Sequence, residues 1–220
     1  SDLINSFNLI DGVDGLAGSL GMMATVLLGC YFLQVNMIPY AIFAFTVASS
    51  LFAFLIFNFQ PAKVFMGDTG SMLIGLVNAV LVIKFINVSG ASYSLFPIDA
   101  APALGFATLM LPLLDTLRVF GIRIIHRRSP FSPDRNHIHH LMLDKGMSHR
   151  AIALVLPACN LLIVGGTFWA AKLGSTILIL GMVILFFTAI AVLYYTRPRT
   201  RLFVEQIING KDRKSTRLNS

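Results

Sequence analysis

Apolar positions dominate this chain in long runs, and the polar positions collect between them. Six stretches, at about 16–35, 38–59, 71–89, 101–120, 151–171 and 174–196, are almost wholly apolar. Each approaches the roughly 20 helical residues that cross a bilayer core of about 30 Å. Helix is the expected state because an unpaired backbone group cannot face lipid. The predicted fold class is therefore all-α: a polytopic membrane bundle of about six transmembrane helices, forming one domain over residues 1–211. The third stretch is interrupted by Asn78 and Lys84, and the fourth by Pro112 and Asp115.

Composition agrees. Only 12% of the 220 residues are charged, against about 25% in a soluble domain. Cys30 and Cys159 both fall inside apolar stretches, so buried packing rather than a disulfide or a Cys-x-x-Cys metal site is expected. The opening SDLINSFNLIDG has no initiator Met, basic segment or apolar leader, and reads as the interior of a longer protein. The last nine residues, Asp212–Ser220, back-translate to a common sequencing adaptor and are set aside from fold reasoning. Arg213, Lys214 and Arg217 against Asp212 make them +2 of the net charge of +7.

Basic residues between the stretches predict the orientation. Arg123, Arg127, Arg128, Arg135, Lys145 and Arg150 lie between the fourth and fifth stretches, and Arg197, Arg199, Arg201 and Lys211 follow the sixth. The opposite connections hold only Lys172. The positive-inside rule places the first group in the cytoplasm. Alternation then brings NSFNLIDGVDG (5–15) and KVFMGDTG (63–70) to the same face. A transporter would more typically hold ionisable residues at mid-bilayer. Lys84 lies late in its stretch, where snorkelling accounts for it.

Three polar constellations thus share one face. In NSFNLIDGVDGLAG, Asn5, Asn8, Asp11 and Asp14 recur every three residues, so several oxygens can converge. Such oxygens suit Mg²⁺, which takes few protein ligands beside substrate phosphates. The same residues equally suit a capped helix entry, with Asp14 or Asn8 as cap. In FMGDTGSMLIG, Asp68 stands where the third stretch opens, with Ser71 or Thr69 as a candidate cap. A helix N-terminus there attracts phosphate, although a plain capped turn explains the motif by itself. In SPDRNHIHHL, the histidines lack the paired spacing of a zinc site and have no cysteine on this face. His137 and His140 are expected on one helix face, with His139 pointing away. Arginines 127, 128 and 135 disfavour a cation and favour an anion such as phosphate. Asp115 and Arg118, spaced i, i+3, are expected to pair within a helix.

NSFNLIDGVDGLAG, FMGDTGSMLIG and SPFSPDRNHIHHL, in that order, together with PLLDTLRVF (112–120), resemble the polyprenyl-phosphate N-acetylhexosamine-1-phosphate transferases of the glycosyltransferase 4 type. The resemblance covers roughly residues 4–150. It implies transfer of N-acetylhexosamine 1-phosphate from a UDP-sugar to polyprenyl phosphate with release of UMP, as a membrane step of surface-polysaccharide synthesis. The HIHH form points to UDP-GlcNAc as donor. Runner-up readings are a phospho-N-acetylmuramoyl-pentapeptide transferase and a transporter with a basic loop. By position, Asp68 and Asn8 resemble the family's Mg²⁺ contacts, with Mn²⁺ the alternative cation. Asn5, Asp11 and Asp14 fall on the substrate-binding side, and Arg135, His137, His139 and His140 match the diphosphate and sugar clamp. The implied partners are the UDP-sugar, the polyprenyl lipid and the inner or plasma membrane; a homodimer is compatible with the sequence, which does not itself point to one, and no nucleic acid is expected. The family also carries an adjacent aspartate pair and about ten or eleven spans. No Asp-Asp occurs in these 220 residues, so the chain is expected to be a C-terminal portion, inactive by itself.

Overall fold

The computed structural model describes residues 2–89, 98–125 and 137–196, with side chains from residue 5 onward. Its helices are α1 Asp2–Ile10, α2 Leu16–Gln34, α3 Ile38–Asn58, α4 Gly67–Ser89, α5 Ala101–Thr108, α6 Met110–Ile125, α7 Ile138–Asp144, α8 His149–Trp169 and α9 Ser175–Tyr195, with a 3₁₀ turn at Ala171–Leu173. No strand occurs among the described residues. Helices α2, α3, α4, α8 and α9 are each long and apolar enough to cross a membrane, and α5 with α6, taken together across their bend, pass the same test as one segment.

Residues that tolerate special backbone angles make the turns. Between α2 and α3, Asn36 takes φ 58°, a left-handed conformation that asparagine tolerates better than most residues. The Met37 N–H then closes on the Phe32 carbonyl at 2.8 Å, satisfying a carbonyl the helix end would orphan. Ser148 caps α8 by accepting from the Ala151 N–H at 3.2 Å.

Helix α2 lies at the centre, against α3, α4 and α8. Its small residues allow that. A β-carbon on Gly21 would stand 2.5 Å from Ile74 of α4, and one on Gly18 2.9 Å from Leu55 of α3. Close backbone approach of this kind supplies the dispersion contacts that hold helices together in lipid. The outward faces carry Phe52, Ile56, Leu162 and Trp169, all exposed, as suits a hydrocarbon solvent.

The fourth expected span is bent by 73° between α5 and α6, and Pro112 explains the place. Proline has no N–H to give the carbonyl four residues back, and its ring crowds that carbonyl. The carbonyl is Thr108's, and it accepts instead from Nδ2 of Asn160 on α8 at 3.2 Å. Asn78, which interrupts the third span, is fully buried and donates back to the Ile74 carbonyl at 2.9 Å. The Lys84 ammonium lies 4.9 Å from the centre of the Tyr40 ring, within cation–π range.

The expected burial of the two cysteines fails. Cys30 and Cys159 are free but exposed, because both lie on helix faces turned outward. Cys30 lines an apolar groove between α2, α5 and α8 with Leu104, Leu161 and Phe168.

Candidate functional site

Short α1 packs against α4 and α6, and Phe7 and Ile10 are its buried anchors. The chain then turns through Asp11–Gly15 into α2. Gly15 holds φ +84°, a conformation an L side chain resists. It is itself the N-cap position of α2, with no side-chain cap, so neither Asp14 nor Asn8 plays the capping role the sequence allowed. The Gly15 N–H instead donates to Oδ1 of Asn58 at 2.8 Å. Nδ2 of the same asparagine donates to the Val64 carbonyl at 2.8 Å. Asn58 is buried at the end of α3 and stitches the first motif to the connection that delivers the second.

That amide was missed in the sequence. Its only signal was a polar residue ending an apolar span, facing two glycine-rich turns. Asn58→Ala would leave the Gly15 N–H and the Val64 carbonyl without their partner, at roughly 1–3 kcal/mol for each group that water cannot reach. The expected outcome is a clear fall in the thermal unfolding midpoint of the purified protein. A midpoint equal to wild type would show that Asn58 does not hold the two connections.

The second motif enters α4 at its third residue, Gly67, and the first turn of that helix contains Asp68. Ser71 is therefore helical and caps nothing, and Thr69, also inside α4, fares likewise. Ser71 Oγ is buried within hydrogen-bond distance of its own helix carbonyls and 3.0 Å from Oδ1 of Asn8. Asn8 is thereby fixed beside the α4 entrance. Asp68 is exposed, while Asn5, Asn8, Asp11 and Asp14 are half-buried.

The carboxylates interact. Burial pushes the Asp11 carboxyl up to about 6, and the charges of Asp14 and Asp68 add to the shift. A raised carboxylate pKa means that the folded state holds this proton more tightly than the unfolded chain does. The resulting stability is fully present below the unfolded value near 4 and is lost as pH rises through about 6. Without divalent cation, the wild-type midpoint should exceed that of Asp11→Asn by less, or trail it by more, at pH 7.5 than at pH 4.5. Parallel midpoint–pH curves would refute the coupling. Asp14 and Asp68 both act on Asp11, and carboxylates near an amide oxygen suit a divalent cation that takes few protein ligands beside substrate phosphates; among the described residues no group of three Asp, Glu, His or Cys is placed to hold an ion by itself.

The histidines reach this site through α7. His137 is the N-cap residue, outside the helix, so helical spacing does not govern where its ring points. The expected grouping, with His139 turned away from the other two, is not found. The His139 ring neighbours both of the others: parallel to His137 at 5.7 Å and tilted against His140 at 4.3 Å between ring centres. It is 1% exposed and rests directly on the first motif. A β-carbon on Gly12 would stand 2.5 Å from His139 Nε2. Burial, followed by the charge of His140, pushes His139 down to about 3, so its imidazole is neutral at physiological pH. It offers one N–H and one lone pair rather than a charge. Arg135 lies outside the described residues, as do Arg127 and Arg128.

Asp115 and Arg118 pair as expected, at 3.0 Å. His149, the first residue of α8, was not singled out in the sequence, and its Nδ1 lies 3.8 Å from Asp14. Arg150 donates to the Gln60 carbonyl, and Lys145 bonds Thr196 beyond the end of α9. The three motifs thus meet at one end of the bundle, joined by Asn8–Ser71, Gly15–Asn58 and Gly12–His139 contacts.

Residues 2–86 match the sequence model of glycosyl transferase family 4. The chain is 38% identical over 167 residues to the decaprenyl-phosphate N-acetylglucosaminephosphotransferase of Mycolicibacterium smegmatis, covering 70% of this chain and 41% of that protein. It is 34% identical over 164 residues to the undecaprenyl-phosphate alpha-N-acetylglucosaminyl 1-phosphate transferase of Escherichia coli, covering 72% and 43% respectively. A probable undecaprenyl-phosphate N-acetylglucosaminyl 1-phosphate transferase of Bacillus subtilis is 32% identical over 154 residues, covering 70% and 41%. The chain therefore spans about two-fifths of the length of these relatives. With motif order, helical membrane architecture and these matches in agreement, the chain belongs to glycosyl transferase family 4.

Proposed function

We propose that the protein containing this chain transfers N-acetylglucosamine 1-phosphate from UDP-N-acetylglucosamine to a polyprenyl phosphate, with UMP as leaving group. The supporting relatives' names share the GlcNAc-phosphate donor group and a polyprenyl phosphate, and differ between decaprenyl and undecaprenyl. The observation that carries the reading is the meeting of the acidic turn, the α4 entrance and the histidine helix at one end of a membrane bundle. A lipid substrate and a nucleotide sugar can meet there.

In the reaction, an oxygen of polyprenyl phosphate attacks the β-phosphorus of the UDP-sugar. The bond from that phosphorus to the bridging oxygen breaks, and the electron pair leaves with UMP. Asp68 and Asn8 would hold Mg²⁺, with Mn²⁺ as substitute, and Asp11 and Asp14 line the nucleotide side. The cation, when bound, neutralises charge developing on the diphosphate. His139 supplies an uncharged N–H from a dry, fixed position, and preorganised donors of this kind favour the charge-separated transition state. Arg135 completes the anion clamp in this reading. The basic residues of the sequence segment 121–150 support a cytoplasmic position for this face under the positive-inside rule, where UDP-sugars are.

The 220 residues alone should not turn over, because the family's adjacent aspartate pair is not among them. The decisive assay supplies the full-length gene product in membranes with UDP-N-acetylglucosamine and undecaprenyl phosphate. UMP and a lipid-linked GlcNAc diphosphate should appear together and require divalent cation. No UMP above the lipid-free control would overturn the proposal.

A further inference from the structure

Asp115 is 1% exposed within α6, and the reading above gives it no part in the chemistry. Its carboxylate nevertheless has three donors. Oδ1 accepts from Arg118 Nη2 at 3.0 Å and from the Ile138 N–H at 3.0 Å, while Oδ2 lies 2.9 Å from His137 Nδ1. Ile138 is the first residue of α7, and His137 offers that helix no side-chain cap of its own. A carboxyl group 22 and 23 residues upstream therefore anchors both the start of the histidine helix and its first ring.

We infer that Asp115 is a positioning residue, which fixes His137 in the Nδ1-protonated tautomer and holds α7 so that His139 stays pressed on Gly12. The chemistry follows from the acceptor. An ionised carboxylate can only accept, so the hydrogen between it and His137 resides on Nδ1. That leaves Nε2 as the nitrogen with the free lone pair, available to a substrate proton or, once protonated, to a phosphate oxygen. Orientation of one ring nitrogen by a carboxylate on the other is the general way such tautomers are set. The effect on turnover rests on the transferase reading; the tautomer does not.

Two measurements separate those dependences. Selective ¹⁵N-histidine spectra of the full-length protein should show His137, assigned by its loss in His137→Ala, protonated at Nδ1. In Asp115→Asn that signature should shift to Nε2 protonation, because the amide nitrogen offers a donor where the carboxylate accepted. A wild-type His137 protonated only at Nε2 overturns the inference whatever the activity. In the UMP-release assay, Asp115→Asn should lower kcat by about tenfold or more, as expected where the wrong imidazole tautomer is imposed. The KM for UDP-N-acetylglucosamine should change by less than about threefold. In a His137→Ala background, the same change should add less than about twofold, because its target ring is gone. Full additivity would show that Asp115 acts elsewhere and overturn the inference. Wild-type protein without UMP release would count against the transferase reading, while the ¹⁵N spectra still decide the positioning.

Discussion

Asp68→Asn in the full-length protein should abolish divalent-cation-dependent UMP release, lowering kcat by about 10²–10³-fold or more, the scale seen when one electrostatic stabiliser is removed. Carboxylate and amide have nearly the same size, so packing is not at issue. Asp68 is exposed in the first turn of α4, where its charge can reach a cation without unpicking the bundle. Asn8 is held 3.0 Å from Ser71 one turn further along the same helix, so the amide oxygen remains in place when the charge is lost. Membrane insertion should therefore match wild type, and the thermal midpoint without metal should not fall below it. Removing Asp68 also removes one of the charges that raise Asp11. The apo protein should, if anything, be slightly more stable above pH 6. The measurements are UMP release against Mg²⁺ concentration and a midpoint with and without Mg²⁺. Turnover and metal response equal to wild type would sink the metal assignment. Lys172→Ala, exposed beyond the far end of α8, should leave both unchanged.

The spans were legible because bilayer thickness imposes a length that only helices of about 20 residues satisfy. Loop charge then implied that the three motifs share a face, and the contacts between Asn8 and Ser71 and between Gly12 and His139 bring those motifs together. What escaped the sequence is what depends on partners far along the chain. Pro112 marked an interruption, yet the 73° bend also depends on Asn160 to satisfy the carbonyl that Pro112 abandons. Asp115 looked like half of a local helix pair, and that pair exists. Its other two partners lie beyond residue 136, outside the reach of any i, i+3 rule. The histidine grouping failed for a related reason. Helical periodicity was applied to His137, which sits one residue before the helix begins. Asn58 carries no motif and no charge, and its role appears only when both turns are folded around it.

Gly12→Ala should be nearly as damaging as Asp68→Asn, by a steric route. The added methyl carbon would stand 2.5 Å from His139 Nε2 and 2.9 Å from Cε1, well inside van der Waals contact. Gly12 is itself exposed, and its angles are not in the left-handed region, so backbone strain is not the mechanism. The ring has little room to swing aside, because it is buried with the His137 ring parallel to it and the His140 ring tilted against it. The whole of α7 must then shift, pulling on its anchor at Asp115. Overpacking of this kind costs about 1–3 kcal/mol, and a displacement near 1 Å in a catalytic constellation can cost about 10²-fold in rate. The expected result is a lowered midpoint and a kcat down by about that factor, with the Mg²⁺-induced rise in midpoint retained because Asp68 and Asn8 are untouched. Truncating the opposing ring supplies the internal check. Gly12→Ala combined with His139→Ala should recover the midpoint of His139→Ala alone, since the methyl then occupies space the imidazole has vacated, while turnover stays low. A Gly12→Ala protein with wild-type midpoint and wild-type turnover would mean that the His139–Gly12 contact does not hold the histidine helix to the acidic turn.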